Sequence, residues 1–351
     1  MRNTKNTARG RSLSFLFQLG GLVLALLFIT IILLVVGANP LEVFSNIWQG
    51  AFGSTNRVAN ILVVWVPLAL VTCGLLVTFT TGLWNIGIEG QITIGAIFST
   101  GILRLFLDST VSPVLVILLA VIAGIVGGAL WAVLVGLLKT YGGVNEIFGG
   151  LGLNFIATAL NIGLIFGAWS REGVASMSGT EPFPESFWLP TAGSYNFSWI
   201  SIAISALGLI IVFFLLTGTH FGLRLKAVGK GMKSAHRLGI PPKKHMLLAF
   251  IICGSFAGLT GALQVVAVYH RLIPSISSGY GFLGLMVAML INYKAIWVAP
   301  IAFFFAALNI GGIQLPIILK LDSTLTGVLQ GSLVLFILLM QGVKQRVLGK
   351  S

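Results

Sequence analysis

Residues 218–245 read GTHFGLRLKAVGKGMKSAHRLGIPPKKH and carry Arg224, Lys226, Lys230, Lys233, Arg237, Lys243 and Lys244 with no acidic residue among them. Apolar runs at 199–217 and 246–267 flank the stretch, and each is long enough to cross a bilayer core, which takes about 20 helical residues. One Lys or Arg at the centre of a spanning helix costs roughly 2.5–3.5 kcal/mol, so seven would cost on the order of 20 kcal/mol. The stretch therefore lies in water. Positive charge in short loops marks the cytoplasmic side, and this loop orients everything around it.

Composition agrees with a membrane chain. Of 351 residues, 57% are hydrophobic and 8% charged, and mean hydropathy is +1.03; a soluble domain carries about a quarter charged residues. The net charge of +13 is concentrated: fourteen of the 21 basic residues fall in 1–14, 218–245 and 343–351, which hold no Asp or Glu. That placement is a topology signal facing anionic membrane lipid, not a nucleic-acid surface. The only cysteines, Cys73 and Cys253, sit inside apolar runs, as small packing residues do. They form no disulfide framework.

Walking the apolar runs from the N-terminus gives an all-α polytopic protein with ten crossings, at 15–36, 58–78, 82–107, 113–138, 145–168, 199–217, 246–267, 282–291, 296–313 and 325–340. Both termini then lie in the cytoplasm. The domain order is a basic tail at 1–14, one transmembrane domain at 15–342 and a basic tail at 343–351. An external loop at 169–197 and the cytoplasmic loop at 218–245 interrupt the domain, and 39–56 reads as an interfacial stretch. Two halves of five spans each would run oppositely through the membrane, with glycine-rich interruptions at 82–90 and 278–284 in matching places. Inverted halves with broken segments are a transporter pattern.

The most polar place within a crossing is Gly82-Leu83-Trp84-Asn85-Ile86-Gly87-Ile88-Glu89-Gly90-Gln91. A carboxylate facing lipid is expensive, so Glu89 is expected to face the bundle interior. Trp84, Asn85, Glu89 and Gln91 either line a solute route or form a structural break whose Glu caps a helix N-terminus. A second cluster holds Asn145 and Glu146, which suit a helix start near the inner surface. Asn154 and Asn161 follow, seven apart and so on one face; they could join two helices or line a cavity. The four His show no HExxH or Cys/His ligand spacing, which excludes the usual metal sites. No nucleophile elbow or phosphate-binding loop occurs. No catalytic residue, metal or cofactor is expected.

Four stretches together resemble the membrane permeases of ATP-driven (ABC) importers, in the branch for nucleosides and simple sugars akin to ribose and branched-chain amino acid permeases. They are Leu83–Gln91 with Ile94-Gly95-Ala96, Gly143–Ile147 with Leu153–Ala157, Phe221–Gly229 with Ala235 and Gly239-Ile240, and Gly281–Ala288. They occur in the family's order between about 57 and 340. The chain departs from the pattern at Lys230-Gly231-Met232 and at 291–294. The resemblance implies a permease subunit of the inner (plasma) membrane, passing a small polar solute along Trp84, Asn85, Glu89, Gln91, Asn145, Glu146, Asn154 and Phe282. It also implies coupling through Arg224, Lys226, Ala227, Gly229, Lys230, Ala235, Arg237 and Gly239 to a cytoplasmic ABC ATPase that hydrolyses the ATP. A second permease, identical or homologous, and an extracytoplasmic solute-binding protein complete the implied assembly. Two alternatives stand beside it: a branched-chain amino acid ABC permease, and a stand-alone secondary transporter coupled through Glu89 or Glu146.

Overall fold

The computed structural model describes residues 2–171, 173, 178–193, 195–322 and 324–347, with side chains from residue 17 onward except residue 18. The side chains of Arg2, Lys5, Arg9 and Arg11, together with Glu172 and Lys350, lie outside the described set. Among the described residues all regular structure is helical. In chain order the helices are α1 (Arg2–Val35), α2 (Pro40–Phe52), α3 (Thr55–Thr80), α4 (Ile88–Leu105), α5 (Pro113–Thr140), α6 (Glu146–Phe166), α7 (Trp199–Gly218), α8 (His220–Lys230), α9 (Met232–Arg237), α10 (Pro242–Leu263), α11 (Tyr280–Leu290), α12 (Val298–Gly312), α13 (Gln314–Ile318) and α14 (Thr324–Val347).

Seven helical segments among the described residues are long and apolar enough to span a bilayer, eight if the bent pair Leu19–Val35 and Pro40–Phe52 counts as one. The sequence leads one to expect ten. The other two expected crossings correspond to α4, whose 18 residues include Glu89, Gln91 and Arg104, and to α11, whose 11 residues make about 16 Å of helix. The segment read as a basic tail is helical from Arg2 as part of α1. The segment expected to lie in water, 218–245, is mostly helical too: it contains α8 and α9 and ends inside the first turn of α10.

The chain forms two compact units, and they are not its two sequence halves. One comprises residues up to Ile61 together with those from Phe304 onward; the other runs from Leu62 to Phe303. In the first, α1 packs along α14, where Phe28 and Phe336 meet at 5.2 Å between ring centroids. Here α2 turns 109° from α1, capped by Asn39, whose side chain accepts from Leu41 N–H. It buries Val43, Ile47 and Ala51 and exposes Leu41 and Trp48, the two-faced pattern of a helix lying in a membrane interface.

The second unit is built around α3 from Leu62 onward, where Leu68 to Val77 are buried, and around a close three-helix junction of α4, α5 and α10. A methyl at Gly258 would collide with Gly124 O, so α10 and α5 meet backbone to backbone, as small residues allow in membranes. Cys73 and Cys253 are buried and free. A π-helix, Gln264–Tyr269, continues α10. Part of the external loop lies along it and the chain that follows. Leu189 N–H donates to Val266 O, Phe183 N–H to His270 O and Thr180 N–H to Leu272 O, while Trp188 stacks on the His270 ring at 3.8 Å.

Candidate functional site

The helix of α3 stops because Gly82 takes a left-handed conformation (φ +74°). Gly82 N–H bonds to Phe79 O and Leu83 N–H to Thr78 O, the paired bonds of a glycine-terminated helix end. The chain then runs non-helically to Gly87 before α4 begins. This is the interruption expected at 82–90, and its groups are accounted for one by one.

Asn85 and Gln91 pair through both amides: Asn85 Nδ2 donates to Gln91 Oε1 at 2.9 Å, and Gln91 Nε2 to Asn85 Oδ1 at 3.0 Å. Both are fully buried, and Asn85 also reaches Cys253 Sγ at 3.1 Å. Asn154 of α6 spans the gap from the other side, accepting from Gly90 N–H at 2.8 Å and donating to Ile86 O at 2.9 Å. It satisfies two backbone groups that the break removes from helical bonding, and such groups cannot stay unpaired in hydrocarbon. Asn161, one heptad on, donates to Ile273 O and Pro274 O and holds the chain that leads into α11. Of the two roles open to this asparagine face, joining elements is the one observed.

Glu89 faces the interior, as expected. Its Oε1 accepts from Phe282 N–H at 3.0 Å. The position before α11, Gly279, has no side chain with which to cap its helix. Glu89 does so from the first turn of α4. The capping role is thus real, but the capped helix belongs to the other end of the chain.

Asn145 is the cap of its own helix, accepting from Ile147 N–H at 2.9 Å. Glu146 stands in the first turn of α6, where an acidic side chain suits the helix dipole, and it also forms an ion pair with Lys139 at 2.6 Å. Trp84, Asn145 and Phe282 are the exposed pathway candidates, Trp84 at 36% and Phe282 at 45%. Trp84 leans on Phe79, which in turn meets Tyr293 edge-on.

Below the break sit α8 and α9. Thr219 caps α8 by accepting from Gly222 N–H, and Lys226 Nζ donates to Leu216 O at the end of α7. Leu225, Val228 and Ala235 are buried, and Val228 and Ala235 share a cluster with Leu83 of the break and with Ala132, Val135, Met246 and Phe250. Arg224, Lys230, Lys233 and Arg237 are exposed, interspersed with exposed Leu223, Met232 and Leu238. Ala227 lies half-buried on α8, and Gly239 (φ +79°) closes the turn after α9. The coupling candidates therefore divide between an inward, packed face and an outward, cationic one. Among the described residues no group of His, Cys, Asp and Glu is placed to hold a metal ion.

Comparison with known proteins gives this geometry its context. The guanosine ABC transporter permease protein NupP of Bacillus subtilis (strain 168) is 27% identical over 328 residues, covering 92% of each chain. The glucose ABC transporter permease protein TsgB13 of Haloferax volcanii is 26% identical, covering 90% of this chain and 85% of its own. The nucleoside ABC transporter permease protein NupB of Lactococcus lactis subsp. cremoris is 27% identical, covering 84% and 83%. The profile of the family described as branched-chain amino acid transport system / permease component matches residues 57–338. With that match across most of its length and its series of apolar helices, the chain belongs to this permease-component family and is a multi-pass protein of the plasma membrane.

Proposed function

We propose that this chain is the membrane-spanning permease subunit of an ATP-driven importer that passes a nucleoside or simple sugar inward. A separate cytoplasmic ATPase would supply the energy; the chain itself would need no cofactor and catalyse no reaction. The observation that carries the reading is the two-faced α8–α9 segment, exposed and cationic on one side and packed against the interrupted crossing on the other. Such a segment suits reception of a partner's movement. The relatives that extend over most of the chain are named for guanosine, nucleosides and glucose, which supports the solute class.

The arrangement would include ten crossings with both termini cytoplasmic, α4 and α11 being the two short ones, together with a second permease and an external solute-binding protein. Trp84 and Phe282 are the exposed aromatic pathway candidates, with surface to offer a solute; Asn145 is exposed too, as the cap of α6. Asn85, Gln91 and Asn154 would act by holding the break in shape. A stand-alone carrier is disfavoured because both of its candidate coupling carboxylates are engaged, Glu89 with the start of α11 and Glu146 with Lys139. The test is uptake of radiolabelled guanosine and glucose into proteoliposomes holding the chain with its ATPase, second permease and binding protein. Uptake should require ATP. Equal uptake without ATPase or nucleotide, driven by an ion gradient, would overturn the assignment.

A further inference from the structure

The coupling segment does more than present charge. Gly229, open to water on one side, lies on its other side so close to the end of α3 that a methyl there would collide with Thr80 O and stand 3.1 Å from the carbonyl carbons of both Thr80 and Thr81. A methyl at Gly82 would in turn stand 3.5 Å from Gly229 Cα. Two backbones thus meet at the residue where α3 stops. Val228, the neighbour of Gly229, shares a hydrophobic cluster with Leu83. Seven residues beyond Gly82, the Glu89 carboxylate holds Phe282 N–H. Between them the break is braced by the Asn85–Gln91 pair and by Asn154.

We propose that Gly229 is a positioning residue, lacking a side chain so that α8 can seat directly on the Thr80–Gly82 backbone. A displacement of α8 is then delivered through the braced break and the Glu89 carboxylate to the first turn of α11. The proposal rests on the reading of α8–α9 as the partner-facing segment, and it assigns Gly229 to the membrane side of that segment. A contact between backbones transmits a shift with little slack, because packed elements have few alternative arrangements, whereas the long basic side chains of the outer face would absorb it in rotamer changes. A chain of contacts is not proof of coupling, so the test must read its far end.

The experiment uses the full importer in lipid nanodiscs. Gly229→Ala should leave co-purification of the ATPase at wild-type amounts, lower ATP-dependent uptake at least tenfold, and speed amide hydrogen exchange in the 280–284 segment severalfold. Uptake within twofold of wild type would overturn the relay. So would loss of the ATPase from the variant complex, because Gly229 would then be a docking residue. Faster exchange at 80–87 with none at 280–284 would end the relay at the break and overturn it too. Should the variant chain fail to fold and insert at all, the wild-type complex with and without a non-hydrolysable ATP analogue gives the same decision. Exchange at 220–237, 80–87 and 280–284 should change together, and a change at 220–237 alone overturns the proposal. Uptake that needs no ATP in the wild type would instead sink the importer reading itself, a result distinguishable from each of these.

Discussion

Two polar regions of this chain treat their hydrogen bonds in opposite ways. In the break at 82–91 the polar groups turn inward: Asn85 and Gln91 satisfy one another, Asn154 satisfies the backbone, and Glu89 caps α11. On α8–α9 the cations Arg224, Lys230, Lys233 and Arg237 turn outward into water. The difference follows from the medium. Hydrocarbon offers no alternative partner, so a polar residue there must be paired by the protein, whereas water leaves a surface cation available for a visiting molecule. Polar groups of the break are spent on bonds within the protein, and the cations of α8–α9 are left facing outward.

Substitutions sharpen that contrast by separating effects on stability from effects on assembly. Asn154→Leu should be the most damaging, leaving Gly90 N–H and Ile86 O unpaired at about 1–3 kcal/mol each. Thermal unfolding in detergent should show a drop of many degrees, and a melting temperature near wild type would mean that the clamp contributes little. Next come Asn85→Ala and Gln91→Ala. Interhelical side-chain bonds in membrane proteins are worth about 0.6–2 kcal/mol, so the double variant should be less destabilised than the sum of the singles by about that amount. Strict additivity would break the reciprocal pairing.

Smaller again is Glu89→Ala, which removes a helix cap worth about 1 kcal/mol. Glu89→Gln keeps an acceptor oxygen and should cost less, so hydrogen exchange at Phe282 should rank alanine above glutamine above wild type. Smallest in stability is Arg237→Glu together with Lys233→Glu on the outer face, a change within about 0.5 kcal/mol. That variant should nevertheless lose its ATPase on purification. Retention of the ATPase would show that the outward cations recognise nothing.

The sequence was most informative where its signal is strong and local. Seven cations without an acid between two apolar runs marked an aqueous segment, and Glu89, Asn145 and the asparagine pair were recognisable as interior or helix-end groups. What it hid were partners distant in the chain. Nothing near Glu89 announces that its acceptor duty lies 193 residues away. Lys139, at the end of α5, is near in sequence, yet only the fold shows its bond to Glu146 at the start of α6. The short crossings were ambiguous for a physical reason as well. Of the polar residues that make α4 a poor match to an apolar span, Glu89 ties it to the start of α11 and Gln91 to Asn85 of the break. The division into two compact units was also invisible, since the ends of the chain pack together through ordinary apolar faces of α1 and α14.

The bond between Glu89 and Phe282 also has a bearing on synthesis. At about 5–20 residues per second, the ribosome needs roughly 10–40 s to deliver Phe282 after Glu89 has left it. Throughout that interval the newborn α4 holds a carboxyl group whose eventual mate does not exist. Either a proton or water must keep it company until the last third of the polypeptide arrives. The membrane insertion machinery is therefore expected to retain α4 near its aqueous side until α11 emerges, and a nascent chain halted before residue 280 should stay cross-linkable there while a longer one is released.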